Sequence, residues 1–198
     1  MAIPVVELIM SLRYALGDMQ GENISDYDLL EPINQAASKL YGRLSERFIH
    51  DVVTQKEITV TADNTPVALP EKLTRIHQVF GSNKDNPTDS DYRVIIPTSG
   101  IKPIFGAYKV ADRQFKAAKG KYILEYYYVP KKVTELGEEL EVPESMRSWI
   151  EQLALTYYKK DYSTAEAIMQ QCENVLAGRT VSHFENTNPA QTLGVRGA

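Results

Sequence analysis

The apolar positions of this chain change their period twice. Val5, Leu8, Ile9, Leu12 and Leu16 recur at helical spacing behind Pro4, which a first turn tolerates, and Gly17 and Gly21 follow as stops. A second helix is predicted over residues 26–50, with Ile33, Ala36, Ala37, Leu40, Leu44 and Phe48 on one face. Ser25 can cap it, with Ile24 and Leu29 placed as a hydrophobic staple. Asp28 with Glu31 is a competing cap, because Pro32 lies one turn inside.

From Val52 to Val129 the period becomes two. Ile58, Val60 and Ala62 alternate with Glu57, Thr59 and Thr61, and Asp63-Asn64-Thr65-Pro66 reads as a turn. Further short strands are predicted at 67–69, 77–80, 92–96, 108–110 and 114–117, with irregular stretches at 81–91 and 97–106. The strongest strand is 121–129. Tyr122, Leu124, Tyr126 and Tyr128 share one face, and Ile123, Tyr127 and Val129 share the other with Lys121 and Glu125. Such a strand is expected to be covered on both faces. Helical spacing returns behind Pro143, where Met146, Trp149, Ile150, Leu153 and Tyr157 predict one buried face. Ser163 and Glu166 read as the capping box of a last helix, with Ile168, Cys172, Val175 and Leu176 inward and Gly178 as its stop. No period is visible from Arg179 to Ala198.

This order predicts an α+β fold, since helices from both ends can meet only if the middle zone projects as an insertion. The expected organisation is a four-helix bundle-like domain from 1–51 and 142–178, an inserted β-rich domain at 52–141 with an acidic linker at 133–141, and an extended C-terminal arm at 179–198.

Composition narrows the function classes. The chain has 198 residues, 43% hydrophobic and 24% charged, which excludes a disordered or fibrous protein. No stretch approaches the ~18–20 apolar residues of a membrane span, so no membrane partner is expected. The N-terminus has no basic region ahead of its apolar stretch and does not read as a signal peptide. Cys172 is the single cysteine, which leaves no intramolecular disulfide, and its apolar helical face marks it as an inert core residue. His50, His77 and His183 lack metal-ligand spacing. Asp85, Asp89 and Asp91 lack the glycine and glutamate of a calcium loop, and Lys119-Gly120-Lys121 lacks the remainder of a phosphate-binding loop. No nucleophile, base and metal set emerges, so neither an enzyme nor a cofactor is expected.

Charge is more informative. The net charge is −4, but Lys102, Lys109, Arg113, Lys116, Lys119, Lys121, Lys131 and Lys132 run with only Asp112 and Glu125 among them. Acids gather at Glu7, Asp18, Glu22, Asp26, Asp28 and Glu31, and again at Glu135, Glu138, Glu139, Glu141 and Glu144. Three readings stand: an unevenly charged solvated surface, a basic β-face that meets nucleic acid, or complementary patches that join subunits head to tail. In the last, Lys116, Lys119 and Lys121 of one subunit meet Glu138, Glu139 and Glu141, or the first-zone acids, of the next.

Four phrases stand in a telling order: Ser25-Asp26-Tyr27-Asp28-Leu29-Leu30 leading into Ile33-Asn34-Gln35-Ala36; Val67-Ala68-Leu69-Pro70-Glu71-Lys72-Leu73; Tyr122-Ile123-Leu124-Glu125-Tyr126-Tyr127-Tyr128-Val129-Pro130; and Val142-Pro143-Glu144-Ser145-Met146-Arg147-Ser148-Trp149-Ile150. With a paired C-terminal helix after them, their order over about residues 5–178 resembles the head-to-tail adaptor (connector) proteins of tailed bacteriophages, of the short-tailed, tail tubular protein A-like type. The resemblance implies a virion structural protein, made in the host cytoplasm and located at the head-to-tail interface. It would form a twelve-copy ring that binds the portal protein, receives the tail nozzle protein and lets genomic DNA pass through its lumen without sequence-specific binding. The tail would order on the portal or an adjacent subunit, with Arg179, Phe184, Leu193 and Arg196 as its contacts. The alternatives are a stand-alone nucleic-acid-binding module using residues 102–132, or another virion ring protein such as a tail terminator.

Overall fold

The computed structural model describes residues 2–47, 49, 52–99 and 106–187, the last nine as helix backbone. Over the described residues the fold is mixed α+β, with four α-helices and several small sheets. It divides into two compact units, one from residues 1–51 and 132–198 and the other from 52–131.

In the helical unit, α1 (Val5–Leu16) buries Val5, Leu8, Ile9 and Leu12 and ends at Gly17, whose φ of 73° is the left-handed conformation that glycine adopts without a Cβ penalty. Helix α2 (Asp26–Glu46) starts at Ser25, whose hydroxyl accepts a hydrogen bond from the Tyr27 amide, and carries Pro32 buried within it. The Asp28–Glu31 cap therefore does not form, and the helix stops four residues short of 50. Phe48 and His50 lie outside the described residues.

Pro143 caps a 3-10 turn, Glu144–Met146, that leads into α3 (Arg147–Tyr158). Helix α3 touches α1, α2 and α4 (Tyr162–Thr187), so its buried Ile150, Leu153 and Ala154 lie at the centre of the unit. Trp149, expected inside, is half-buried.

Helix α4 differs from expectation at both ends. Its start is held by Asp161, whose carboxylate accepts from the Thr164 amide and the Ser163 hydroxyl, while Glu166 turns away to Arg43. Its inner face is Ala165, Met169, Cys172 and Leu176, and Val175 is exposed. Gly178 does not stop it, because the helix continues to Thr187. A glycine ends a helix when it turns left-handed, and inside one it costs only about 1 kcal/mol. Arg179 and Phe184 thus fall within a helix rather than an extended arm, and Leu193 and Arg196 lie outside the described residues.

The acidic stretch 133–141 belongs to the helical unit, not to the β-rich one. Strand β1 (Ile3–Pro4) pairs antiparallel with β10 (Glu139–Leu140), matching Ile3 to Leu140. Asn34 of α2, itself buried, donates to the Val133 carbonyl and accepts from the Val133 amide, both at 2.8 Å. Val133, Leu140 and Val142 are buried. The acids made this stretch look like a solvated linker, but the apolar residues between them fasten it.

The second unit contains two four-stranded sheets. The first has the order β2 (Val53–Val60), β9 (Gly120–Tyr128), β4 (Leu73–Ser82), β5 (Arg93–Val94), and every pairing is antiparallel. The second runs β3 (Val67–Ala68), β8 (Gln114–Ala117), β7 (Ala107–Ala111), β6 (Ile96–Pro97), with β6 and β7 parallel. Tyr122, Leu124 and Tyr126 of β9 are buried with Ile58 and Val79 beside them, and Phe115 of β8 meets Tyr122 edge-on at 5.3 Å. That ring contact links the two sheets. Gly81 makes it feasible, since a Cβ there would lie 2.8 Å from the Tyr122 ring. The Tyr122 hydroxyl donates to the Ala118 carbonyl at 2.6 Å, and burial, with the Asp63 carboxylate, pushes its pKa up to about 12. On the other face of β9, Lys121, Ile123 and Glu125 are half-buried and Tyr127 alone is fully covered, so the strand is not sealed on both faces along its length.

Candidate interaction surfaces

Among the described residues, no group of three or more His, Cys, Asp or Glu side chains could hold a metal ion, and no helix is long and apolar enough to cross a membrane. Cys172 is buried in α4. His77 stands on β4, with its Nδ1 3.2 Å from the Tyr127 hydroxyl and its ring edge-on to that tyrosine. Of the three loop aspartates, Asp91 is tied to its own chain. It accepts from the Thr88 amide and hydroxyl and pairs with Lys84 at 2.5 Å, and these contacts, the Lys84 one foremost, lower its pKa to about 2.

Three arginines of the helical unit are paired with carboxylates of the same unit. Arg13 of α1 bridges Asp18, at 3.0 Å, and Asp26 of α2, at 2.6 Å, and also donates to the Ile24 carbonyl. Asp18 in turn accepts from the amides of Glu22, Asn23 and Ile24, so one buried carboxylate organises the α1–α2 loop. Arg43 of α2 holds Glu166 and the buried Glu173 of α4, and those hydrogen bonds raise its pKa further. Arg147 of α3 pairs with Glu7 and Glu144.

The acids expected to face a neighbouring subunit divide accordingly. Glu138 caps its own turn, accepting from the Thr134 and Glu135 amides at 2.6 and 3.1 Å. Glu139 is exposed on β10, opposite Pro4, and Glu141 is exposed just beyond it. Sequence reasoning treated these three as equivalent because a turn made by a glutamate side chain has no spacing signature.

The bases behave differently. In the second sheet, the register sets Lys109 of β7 directly opposite Lys116 of β8. Like charges so placed repel. Among the described residues no carboxylate lies within ion-pair distance of Lys109, Lys116, Lys119 or Lys121. Alternation places Lys109 and Lys116 on the sheet face that carries Ala68, Ala107, Ala111 and Ile96, opposite the face of Tyr108, Phe115 and Ala117. None of these six residues is buried, and Ile96 is 64% exposed. Gln114 of β8, exposed between Ala68 and Ala111, completes this face, which is polar and cationic at its centre with alanines beside it. Lys119, at the start of the β8–β9 turn, is exposed and held by its amide to Asp63, and Lys121 belongs to the other sheet. Three lysines close in sequence thus do not form one patch.

The β7–β8 hairpin that carries the lysine pair turns through Asp112 and Arg113, at φ of 52° and 57°. Two left-handed residues give the tight hairpin geometry, which usually selects asparagine and glycine. Here the Arg113 guanidinium helps fix the turn by donating to the carbonyls of Pro70 and Glu71, both at 2.8 Å.

A second unusual surface lies on α1. Val6, Met10 and Tyr14, spaced four apart, share its outer side at 47%, 58% and 77% exposure. No protein-family model matches the chain, and no curated protein matches it.

Proposed function

We propose that this protein is a structural component of a tailed-phage virion, a head-to-tail adaptor that forms a twelve-copy ring between the portal protein and the tail nozzle and lets DNA pass through its lumen. The observation that carries the reading is the division of the chain: one compact β-rich unit, 52–131, is set between the two halves of a helical unit. That organisation is the one the resemblance implies, and we read it as a four-helix bundle with an inserted β domain. Two further features support it. The chain presents a cationic sheet face and an acidic, apolar helical surface, which suit heterologous contact between copies. Its overall negative charge suits a channel along which DNA slides without adhering.

The test is to mix the protein with the portal protein from the same genome and image the particles by electron microscopy. A twelve-fold ring added below the portal is the expected result. Portal particles that remain bare across salt concentrations would overturn the reading.

One observation favours a second reading. The Lys109–Lys116 pair, which has no carboxylate within ion-pair distance among the described residues, also suits phosphate, as a stand-alone nucleic-acid-binding module requires. That reading predicts duplex or single-strand affinity that falls steeply with salt. The adaptor reading predicts no such affinity for the free protein.

A further inference from the structure

We propose that the outer face of α1 in one copy packs on the open face of the β3-β8-β7-β6 sheet of a second copy. This inference rests on the ring reading and names its contact.

The helix supplies a row of large apolar side chains that its own chain leaves about half or more exposed among the described residues. Val5, Leu8, Ile9 and Leu12 already cover the inner side of α1, so Val6, Met10 and Tyr14 form a second apolar stripe on the outside. An amphipathic surface helix normally turns charge to water there. The sheet supplies the matching shape. Ala68 of β3 and Ala107 and Ala111 of β7 are small residues on either side of Gln114 and Lys116 of β8, and Ile96 stands exposed at the margin on β6. A helix laid on a sheet is one of the stable layer arrangements of protein cores, and small residues let the helix approach closely.

The charges agree in sign. Lys109 and Lys116 stand on the sheet face without a carboxylate among the described residues. Glu7 lies on α1 one position from Val6 and is 51% exposed despite its Arg147 contact. The acids Glu22 and Asp28 are exposed nearby in sequence, beyond the end of α1. A neighbour's α1 would relieve the repulsion of the lysine pair, which no carboxylate among the described residues does. The two surfaces differ, so the contact is head to tail and propagates to a ring or filament rather than closing as a two-fold dimer.

The test places the photocrosslinker p-benzoylphenylalanine at Met10, an exposed position, in the full chain, with and without portal protein. The expected product is an intermolecular cross-link from Met10 to the 107–117 hairpin, reduced at least about tenfold by the double variant Lys109→Glu/Lys116→Glu. In a second arm, Met10→Asp/Tyr14→Asp and Lys109→Glu/Lys116→Glu each fail to assemble alone, but an equimolar mixture gives two-chain species and stops there, because each such pair retains one intact junction. Circular dichroism checks that both variants remain folded. Cross-links from Met10 to a neighbour's α1, or none to the hairpin under either condition, overturn the inference. Recruitment to the portal without the α1–hairpin cross-link overturns it while leaving the adaptor reading intact. The cross-link without portal recruitment does the reverse.

Discussion

In the helical unit, each of three arginines is held by carboxylates that reach it across the sequence: Arg13 by Asp18 and Asp26, Arg43 by Glu166 and Glu173, Arg147 by Glu7 and Glu144. In the β-rich unit, Lys109 and Lys116 stand side by side and facing no carboxylate among the described residues. The same kind of charge therefore has two uses. Where it is paired it fixes helices to one another, and substitution should lower stability. Where it is unpaired it stabilises nothing, and substitution should chiefly alter association.

The sharpest test of the paired side is Arg43→Met. Glu173 is nearly inaccessible, with 7% of its side chain exposed, and loses its cation in this variant. Breaking a buried pair on one side costs more than the pair contributes, because the remaining charge is stranded; partial exposure of Arg43 moderates this to about 3 kcal/mol. Urea unfolding followed through Trp149, which lies in the same unit, measures it. A loss below about 0.5 kcal/mol, the scale of surface pairs, would mean that the clamp is ornamental.

Asn34→Ala tests a neutral version of the same device. It removes two hydrogen bonds and leaves the amide and carbonyl of Val133 unsatisfied in a buried place. The expected cost is about 2 kcal/mol. Amide exchange at Val133 and Leu140 should quicken at the same time, since Asn34 ties their segment to α2. Unchanged exchange there would show that the β1–β10 pairing holds the segment unaided.

These two residues also mark what the sequence made legible. Periodicity revealed α1, α2 and the buried face of α3, because each repeats an apolar residue every three or four positions over several turns. It revealed β9 as a strand apolar on both faces, but not that only the Tyr122, Leu124 and Tyr126 face is buried along its length. It did not reveal that 133–141 joins the helical unit, because Asn34 and Val133 are 99 positions apart and one amide side chain makes the connection. Nor did it reveal the course of α4. Gly178 has the identity of a stop, but the backbone remains helical, and no local residue reports which conformation a glycine will take. At the candidate surface, the basic run was visible, but its division was not. Strand register sends Lys116 to one sheet and Lys121 to the other, and makes Lys109 the neighbour of Lys116.

The loop ion pair of the β-rich unit gives a pH test. Asp91 has its pKa lowered to about 2 from 3.8, through the Lys84 contact first and the Thr88 contacts next. A depressed carboxylate stabilises the fold fully above its ordinary pKa, and that contribution is lost as pH falls through the folded value. The Thr88–Asp91 turn should therefore hold down to about pH 4 and loosen toward pH 2. Carboxyl NMR titration should place the Asp91 midpoint near 2, and Lys84→Met should raise it. A midpoint near 3.8 in the unaltered protein would mean that the pair does not persist in solution.

The smallest effect has an unusual sign. Lys116→Glu places an acid opposite Lys109, converting a repulsive cross-strand pair into an attractive one. Such pairs are worth roughly 0.2–1 kcal/mol, and both side chains are only partly covered, so the desolvation cost is small beside the gain. The β7–β8 hairpin should become slightly more stable, and its amides should exchange about twofold more slowly. Arg43 offers the contrast, because losing its charge in the helical unit destabilises. If the sheet face serves association, the same Lys116→Glu substitution should weaken the contact between copies while it strengthens the hairpin. Stability and assembly would then move in opposite directions in one variant. Faster exchange in the hairpin would show that the lysines already splay apart in solution, and it would remove the electrostatic reason for a partner at this face.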